Sequence, residues 1–262
     1  MRRADFIGLA LLVLFMPAWL GSARADNAPV IAAASDLQFA LAEAAQDFTR
    51  RTGREVKLSF GSSGNFSRQI EQGAPFQLFL SADEDFALGL AAKGLTEGEG
   101  ALYAIGRIVI FAPEGSPLAA DGELSGLDAA LKRGEIARFA IANPEHAPYG
   151  ARAVEALRHA GLWEGIKDKL VLGENASQAA QFAASGNAQG GIIPYSLALA
   201  PSIRPLGTFA LIPAEWHAPL RQRMALIKGA GETARAFYAY LQGPDGRAIL
   251  RRYGFLLPGE TS

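Results

Sequence analysis

VIAAASDLQFALAEAAQDFTRRTG, residues 30–53, holds the unit on which the fold turns. Its first five residues are an apolar run of strand length, and Ser35 breaks it. From Asp36 onward Leu37, Ala40, Leu41, Ala44, Ala45 and Phe48 recur at three- and four-residue spacing. That period places them on one face of a helix over 36–51, which Gly53 stops. The same order of apolar run, small or polar turn and helix returns around Ser63, Tyr149 and Ala176. The first N–H groups of a helix have no intrahelical acceptor, and the peptide dipoles add toward that end. Each junction can therefore attract an anion with no charged side chain. Several of them converging on one cleft would form an oxyanion site.

The alternation runs through the rest of the chain. Apolar runs predict strands at 56–60, 78–80, 105–112, 139–142, 170–172, 191–193 and 224–227, with 105–112 a single long strand. Helical spacing predicts helices at 65–72, 84–93, 151–160 and 177–184, and near 233–241 and 245–251. Such alternation gives parallel sheets covered by helices on both faces, an α/β fold. We read two lobes: residues 26–106 with 223–262, and residues 107–222. The chain crosses between them near Gly106 and again within 215–223.

Residues 1–25 carry the three parts of an export signal. Arg2 and Arg3 make a positive start, an almost wholly apolar stretch follows to Leu20, and Ala23-Arg24-Ala25 supplies small residues for cleavage. The stretch is too short for a membrane span of about 20 residues. The mature chain is expected from Asp26, outside the cytoplasm. Losing three arginines and one aspartate takes the formal charge from −1 to −3. A nucleic acid or an anionic membrane would need a basic face, so neither is the expected partner. With no cysteine there is neither a disulfide framework nor a lipid-bearing Cys at the cleavage site.

At this point a series of motifs carries a resemblance. Ala32-Ala33-Ala34-Ser35, Ser59-Phe60-Gly61-Ser62-Ser63, the run RQIEQGAP from Arg68, Leu78-Phe79-Leu80-Ser81-Ala82-Asp83, the run NPEHAPYG from Asn143 and Tyr253-Gly254-Phe255 occur in this order. Together, over about residues 30–256, the chain resembles the periplasmic molybdate-binding proteins of ABC importers. The resemblance implies a type II periplasmic-binding-protein fold with the ligand between two lobes, each a mainly parallel sheet covered by helices. It implies molybdate or tungstate as the transported ligand, an importer permease as partner, a monomer, and no cofactor. It assigns the oxyanion to hydroxyl and N–H donors at Ser35 and Ser63, and to backbone N–H groups at Tyr149 and Ala176. The family's ligand tyrosine falls where this chain has Pro194, which has neither N–H nor hydroxyl, so Tyr195 is the expected fifth donor. Gln77 stands where the family often has Asp, which would bear on hinge contacts or the first lobe's surface.

The chemistry agrees with these expectations. Neutral donors in a closed cleft can replace the hydration of a dianion, and each hydrogen bond is stronger for pointing at charge. A ring of donors leaves a ligand's own O–H without an acceptor, which favours fully deprotonated molybdate or tungstate over phosphate. Radius would exclude sulfate from a cavity set for the larger ion. Blander roles remain for each residue: helix caps for Ser35, Ser62, Ser63 and Asn65, and packing for Tyr149 and Tyr195. Glu174 and Asn175 read as turn-shaping residues and His146 as a loop support. Two other functions stay open: a receptor for sulfate, thiosulfate or another anion, and a secreted hydrolase using Ser35 or Ser63 as nucleophile. Neither serine sits in a Gly-x-Ser-x-Gly elbow.

Overall fold

The computed structural model describes residues 28–260; the expected leader at 1–25 lies outside them. Two five-stranded sheets form the framework. The first contains β1 (Val30–Ala34), β2 (Lys57–Gly61), β3 (Phe76–Ser81), β4 (Ala101–Gly106) and β10 (Leu220–Leu226), in the order β2-β1-β3-β10-β4. The second contains β5 (Ile108–Pro113), β6 (Phe139–Ala142), β7 (Leu170–Gly173), β8 (Gly191–Pro194) and β9 (Gly207–Leu211), in the order β7-β6-β8-β5-β9. Strand β1 pairs in parallel with β2 and β3, and β6 with β7 and β8. The reversed strand in each sheet is the one a crossover delivers: β10 lies antiparallel between β3 and β4, and β5 antiparallel between β8 and β9.

Helices cover both sheets. The first lobe carries α1 (Gln38–Thr52), α2 (Ser63–Glu71) and α3 (Glu84–Ala92), and the second α4 (Ser125–Lys132), α5 (Pro148–His159), α6 (Trp163–Ile166), α7 (Ala176–Ala184) and α8 (Tyr195–Ala198). The chain then returns through β10 to α9 (Glu232–Gln242) and α10 (Pro244–Arg252) on the first lobe. One core joins Ile31, Leu41, Phe48, Leu80, Phe237 and Leu250, with the Phe48 and Phe237 rings edge to face at 5.2 Å. On the other face of that sheet Phe66, Ile70, Phe79 and Leu90 form a smaller core beneath α2 and α3. In the second lobe β5 is buried on both faces, and Phe111, Phe139, Ile141, Leu157 and Ile193 meet around it. Each such side chain contributes about 1.5–3 kcal/mol by leaving water.

Three expectations need correction. The long strand at 105–112 is two strands in two sheets: Gly106 pairs with Leu220 in the first, Ile108 with Pro194 in the second, and Arg107 alone spans the gap. The periodicity could not show this, because both strands are buried and read as one apolar run. The return crossover is complete by Leu220, where β10 joins the first sheet, three residues before the expected boundary at 223. Finally, the helix expected from Asp36 begins with a 3-10 turn, Ser35–Leu37, and becomes α-helical only at Gln38.

Candidate functional site

The carboxyl ends of β1 and β2 face those of β6 and β7, and the junctions that follow these four strands meet. Such ends are where open α/β sheets bind ligands. A cavity lies between them, with about 10 Å³ open to the centre of a water-sized sphere. The first lobe lines it with Ser35, Asp36, Ser62, Ser63 and Ala82, and the second with Ala147, Pro148, Tyr149 and Ala176. No lysine or arginine lines it. Of the five expected donors, the structure thus brings together Ser35, Ser63, Tyr149 and Ala176, all of them buried.

Local sequence explains how each donor is aimed. Ser63 opens α2, and its Oγ accepts the Ala82 N–H at 3.0 Å, so its own O–H stays available for an acceptor in the cavity. Pro148 takes the first position of α5, where a missing N–H costs nothing, and Tyr149 becomes the first residue of that helix with a donor to offer. Gly150 lets this helix start lie against the end of β6: a Cβ there would stand 2.1 Å from the Ala142 carbonyl oxygen. Ala176 opens α7 behind Asn175, whose side chain caps the helix by accepting the Gln178 N–H at 3.1 Å. The Ser35 hydroxyl donates to Asn175 Oδ1 and accepts the Ser177 N–H, both at 3.1 Å. Its single proton is committed across the cleft, so donation to a ligand requires that bond to be exchanged.

Tyr195 is not part of this cavity. Its N–H donates to the Arg107 carbonyl at 2.9 Å, its ring packs edge to face on Phe209, and the Arg107 guanidinium lies over it at 5.3 Å. Pro194 is the last residue of β8 and pairs with Ile108, so the strand does not slip by one residue to turn Tyr195 inward. The tyrosine supports the crossover instead. Gln77 also lies elsewhere: its Oε1 accepts the Gly231 N–H at the start of α9.

Asp36 belongs to the site, although its sequence position suggested only a residue of the first helix turn. It is 1% exposed and lines the cavity. Its Oδ2 accepts from the Tyr149 hydroxyl at 3.0 Å and from Gln222 Nε2 at 2.7 Å. The Gln222 amide also donates to Tyr149 Oη, and Gln222 Oε1 accepts from the Tyr103 hydroxyl at 2.7 Å. These partners come from α5, β10 and β4, so the network ties the cavity to the crossover strands. Asp36 Oδ1 is buried and makes no hydrogen bond. Burial pushes the Asp36 carboxyl up from 3.8 to about 7, against the opposing pull of Gln222, Tyr149 and the nearby Asp36 and Leu37 N–H groups. Burial likewise holds the Tyr149 and Tyr103 hydroxyls well above the usual tyrosine value, with the Asp36 charge adding to it, so both stay neutral.

The two lobes touch around the cavity. Asn65 Nδ2 donates to Glu174 Oε1 at 2.6 Å, the Gly64 N–H to the His146 carbonyl at 3.0 Å, and Arg152 pairs with Asp83 at 3.3 Å. His146 Nδ1 lies 2.9 Å from Ser62 Oγ, and its Nε2 lies 3.7 Å from Glu174. The loop residues read as turn-shaping or supporting therefore also join the lobes. The lobe-joining partners lie far apart in the chain, 109 residues for Asn65 and Glu174 and 69 for Asp83 and Arg152, which is why the sequence did not reveal them.

Comparison with known proteins identifies the family and the fold. The profile of the bacterial extracellular solute-binding protein family matches residues 29–256. The molybdate-binding protein ModA of Azotobacter vinelandii is 36% identical over 251 residues, 94% of this chain and 97% of its own. ModA of Rhodobacter capsulatus is 34% identical over 258 residues, 97% of this chain and 96% of its own. The solved structure of the Azotobacter vinelandii periplasmic molybdate-binding protein matches with a TM-score of 0.78 at 29% identity, over 88% of this chain and 99% of that one. With this fold, and with the helix starts of both lobes meeting at one cavity, the chain belongs to the bacterial extracellular solute-binding protein family, alongside the ModA proteins.

Proposed function

We propose that this chain captures molybdate, and tungstate with it, outside the cytoplasm and delivers it to an ABC importer permease. The observation that carries the reading is a buried cavity walled by helix starts from both lobes, with no cationic side chain in its lining. Such a wall offers oriented N–H and O–H donors, which suit a bare dianion. The two ModA relatives are named for molybdate binding, which singles that anion out among those the cavity could take. Among the described residues no helix is long and apolar enough to cross a membrane. We read the chain as released after export and as a monomer. The lobe built on the first sheet, which includes β10 from Leu220, and the lobe built on the second move against each other, and ligand closes them about the crossovers at Arg107 and before Leu220.

The test is thermal unfolding of the chain from Asp26 with molybdate, tungstate, sulfate and phosphate. A true ligand at about a thousand times its dissociation constant stabilises the folded state by about 4 kcal/mol. Protection by sulfate but not by molybdate would reassign the chain to a sulfate-type receptor. A hydrolytic reading has one specific contact in its favour, the approach of Ser62 Oγ to His146 Nδ1. We read the chain as a binder and not an enzyme, because those two groups lie on opposite lobes and the third, Glu174, is mostly exposed. Ester turnover that Ser62→Ala abolishes would reverse this.

A further inference from the structure

We propose that Asp36 serves the anion cavity as a neutral carboxylic acid, with its proton on Oδ1 as a donor to the ligand, so that capture of a dianion takes up one proton. This inference rests on the anion-binding reading above and names how that site is regulated.

The hydrogen-bond network fixes where the proton sits. Oδ2 already receives two donors, Tyr149 Oη and Gln222 Nε2, and is the acceptor oxygen. Oδ1 is the buried atom without a partner, on a residue of the cavity wall. As a bare carboxylate it would present unpaired negative charge to an incoming dianion in a medium of low dielectric. As an acid it presents an O–H, and an O–H donor to a charged oxygen is among the strong hydrogen bonds. Among the described residues, nothing around Asp36 supplies a compensating cation. The facing groups are Tyr149 of α5, Tyr103 of β4 through Gln222 of β10, the Asp36 and Leu37 N–H groups, and Ser196 of α8, whose Oγ donates to the Asp36 carbonyl at 2.8 Å. Helix α7, which also packs there, has no ionisable residue. The free acid titrates near neutrality, and a bound dianion raises it further, so the coupling falls in the range where an exported protein works.

Titration calorimetry of the chain from Asp26 with sodium molybdate, in two buffers of different ionisation enthalpy, counts the protons directly and needs no variant. Near pH 5.5 Asp36 is already protonated, and no net uptake is expected. Near pH 8.5 uptake approaches one proton per molybdate. The affinity should be flat below about pH 6 and fall about tenfold per pH unit above about pH 7, since one proton is linked. Asp36→Asn, a permanently neutral isostere, should bind molybdate without proton uptake and without the pH slope. Molybdate binding with no proton uptake at either pH overturns the inference alone. Binding of hydrogen phosphate in preference to molybdate, lost in Asp36→Asn, also overturns it, because Asp36 would then be a carboxylate accepting the ligand's proton. No molybdate binding at any pH overturns both this inference and the function on which it rests.

Discussion

Asp36 carries a cost of its own, apart from any ligand. Its carboxyl titrates at about 7 in the fold and at 3.8 ordinarily, so the unfolded chain ionises it first. Stability from this group is complete below pH 3.8 and lost as the pH rises through about 7. Asp36→Asn should therefore stabilise the ligand-free protein at pH 8 by up to about 4 kcal/mol, three units at 1.36 kcal/mol each, and by nothing at pH 3.5. Denaturant titrations at the two pH values check this. Ser63→Ala should weaken molybdate binding by about 1.5–3 kcal/mol, the worth of a hydrogen bond to a charged group. It should also lower the melting temperature, since Ala82 N–H loses its acceptor. Tyr195→Phe should leave the binding isotherm unchanged, because that hydroxyl is outside the cavity. The four junctions that meet at the cavity were legible from strand-turn-helix order, whereas the choice of Ser35, Ser63, Tyr149 and Ala176 within them came from the family resemblance, for Ala176 wholly so. Asp36 was legible from neither, because an aspartate after a serine at a helix start looks like any cap, and only the fold shows that it is buried against Tyr149 and Gln222.

Elements were legible where their pattern was local. Strand β1, helix α1 and the helices of the other junctions stand close to where periodicity put them. Helix α4 and strand β9 escaped it: α4 is eight residues long with Gly126 inside it and starts after Leu124 at φ 58°, while β9 lies at a sheet edge and is nowhere fully buried. The division of 105–112 into β4 and β5 escaped it as well, since burial in two different cores leaves the same apolar signature as burial in one. Gly106, at the end of β4, is where this matters. A Cβ there would stand 2.2 Å from Tyr149 Oη and 2.8 Å from Gln222 Nε2, inside the network that holds Asp36. Gly106→Ala should destabilise the protein by about 1–3 kcal/mol, as overpacking does. It should reduce molybdate affinity as well, and a melting curve with a binding isotherm on the same sample would show both.

At the scale of the molecule, the lobes are held together by contacts that exist only when they meet. Asn65→Ala removes the 2.6 Å bond to Glu174 without touching the cavity wall. It should lower molybdate affinity severalfold, about the 0.5–1.5 kcal/mol of one hydrogen bond, because the ligand must then close the lobes with less help. Small-angle scattering should find ligand-free Asn65→Ala more expanded than the ligand-free parent. The burial of the cavity has a kinetic consequence. Ser35, Asp36, Ser63, Tyr149 and Ala176 each expose 5% of their surface or less. With walls this closely packed, the residence time of an ion seated among them would follow how often the two halves part. Tight capture and prompt delivery are then compatible only if whatever receives the ion prises the halves apart, which makes the receiver the clock of the whole process.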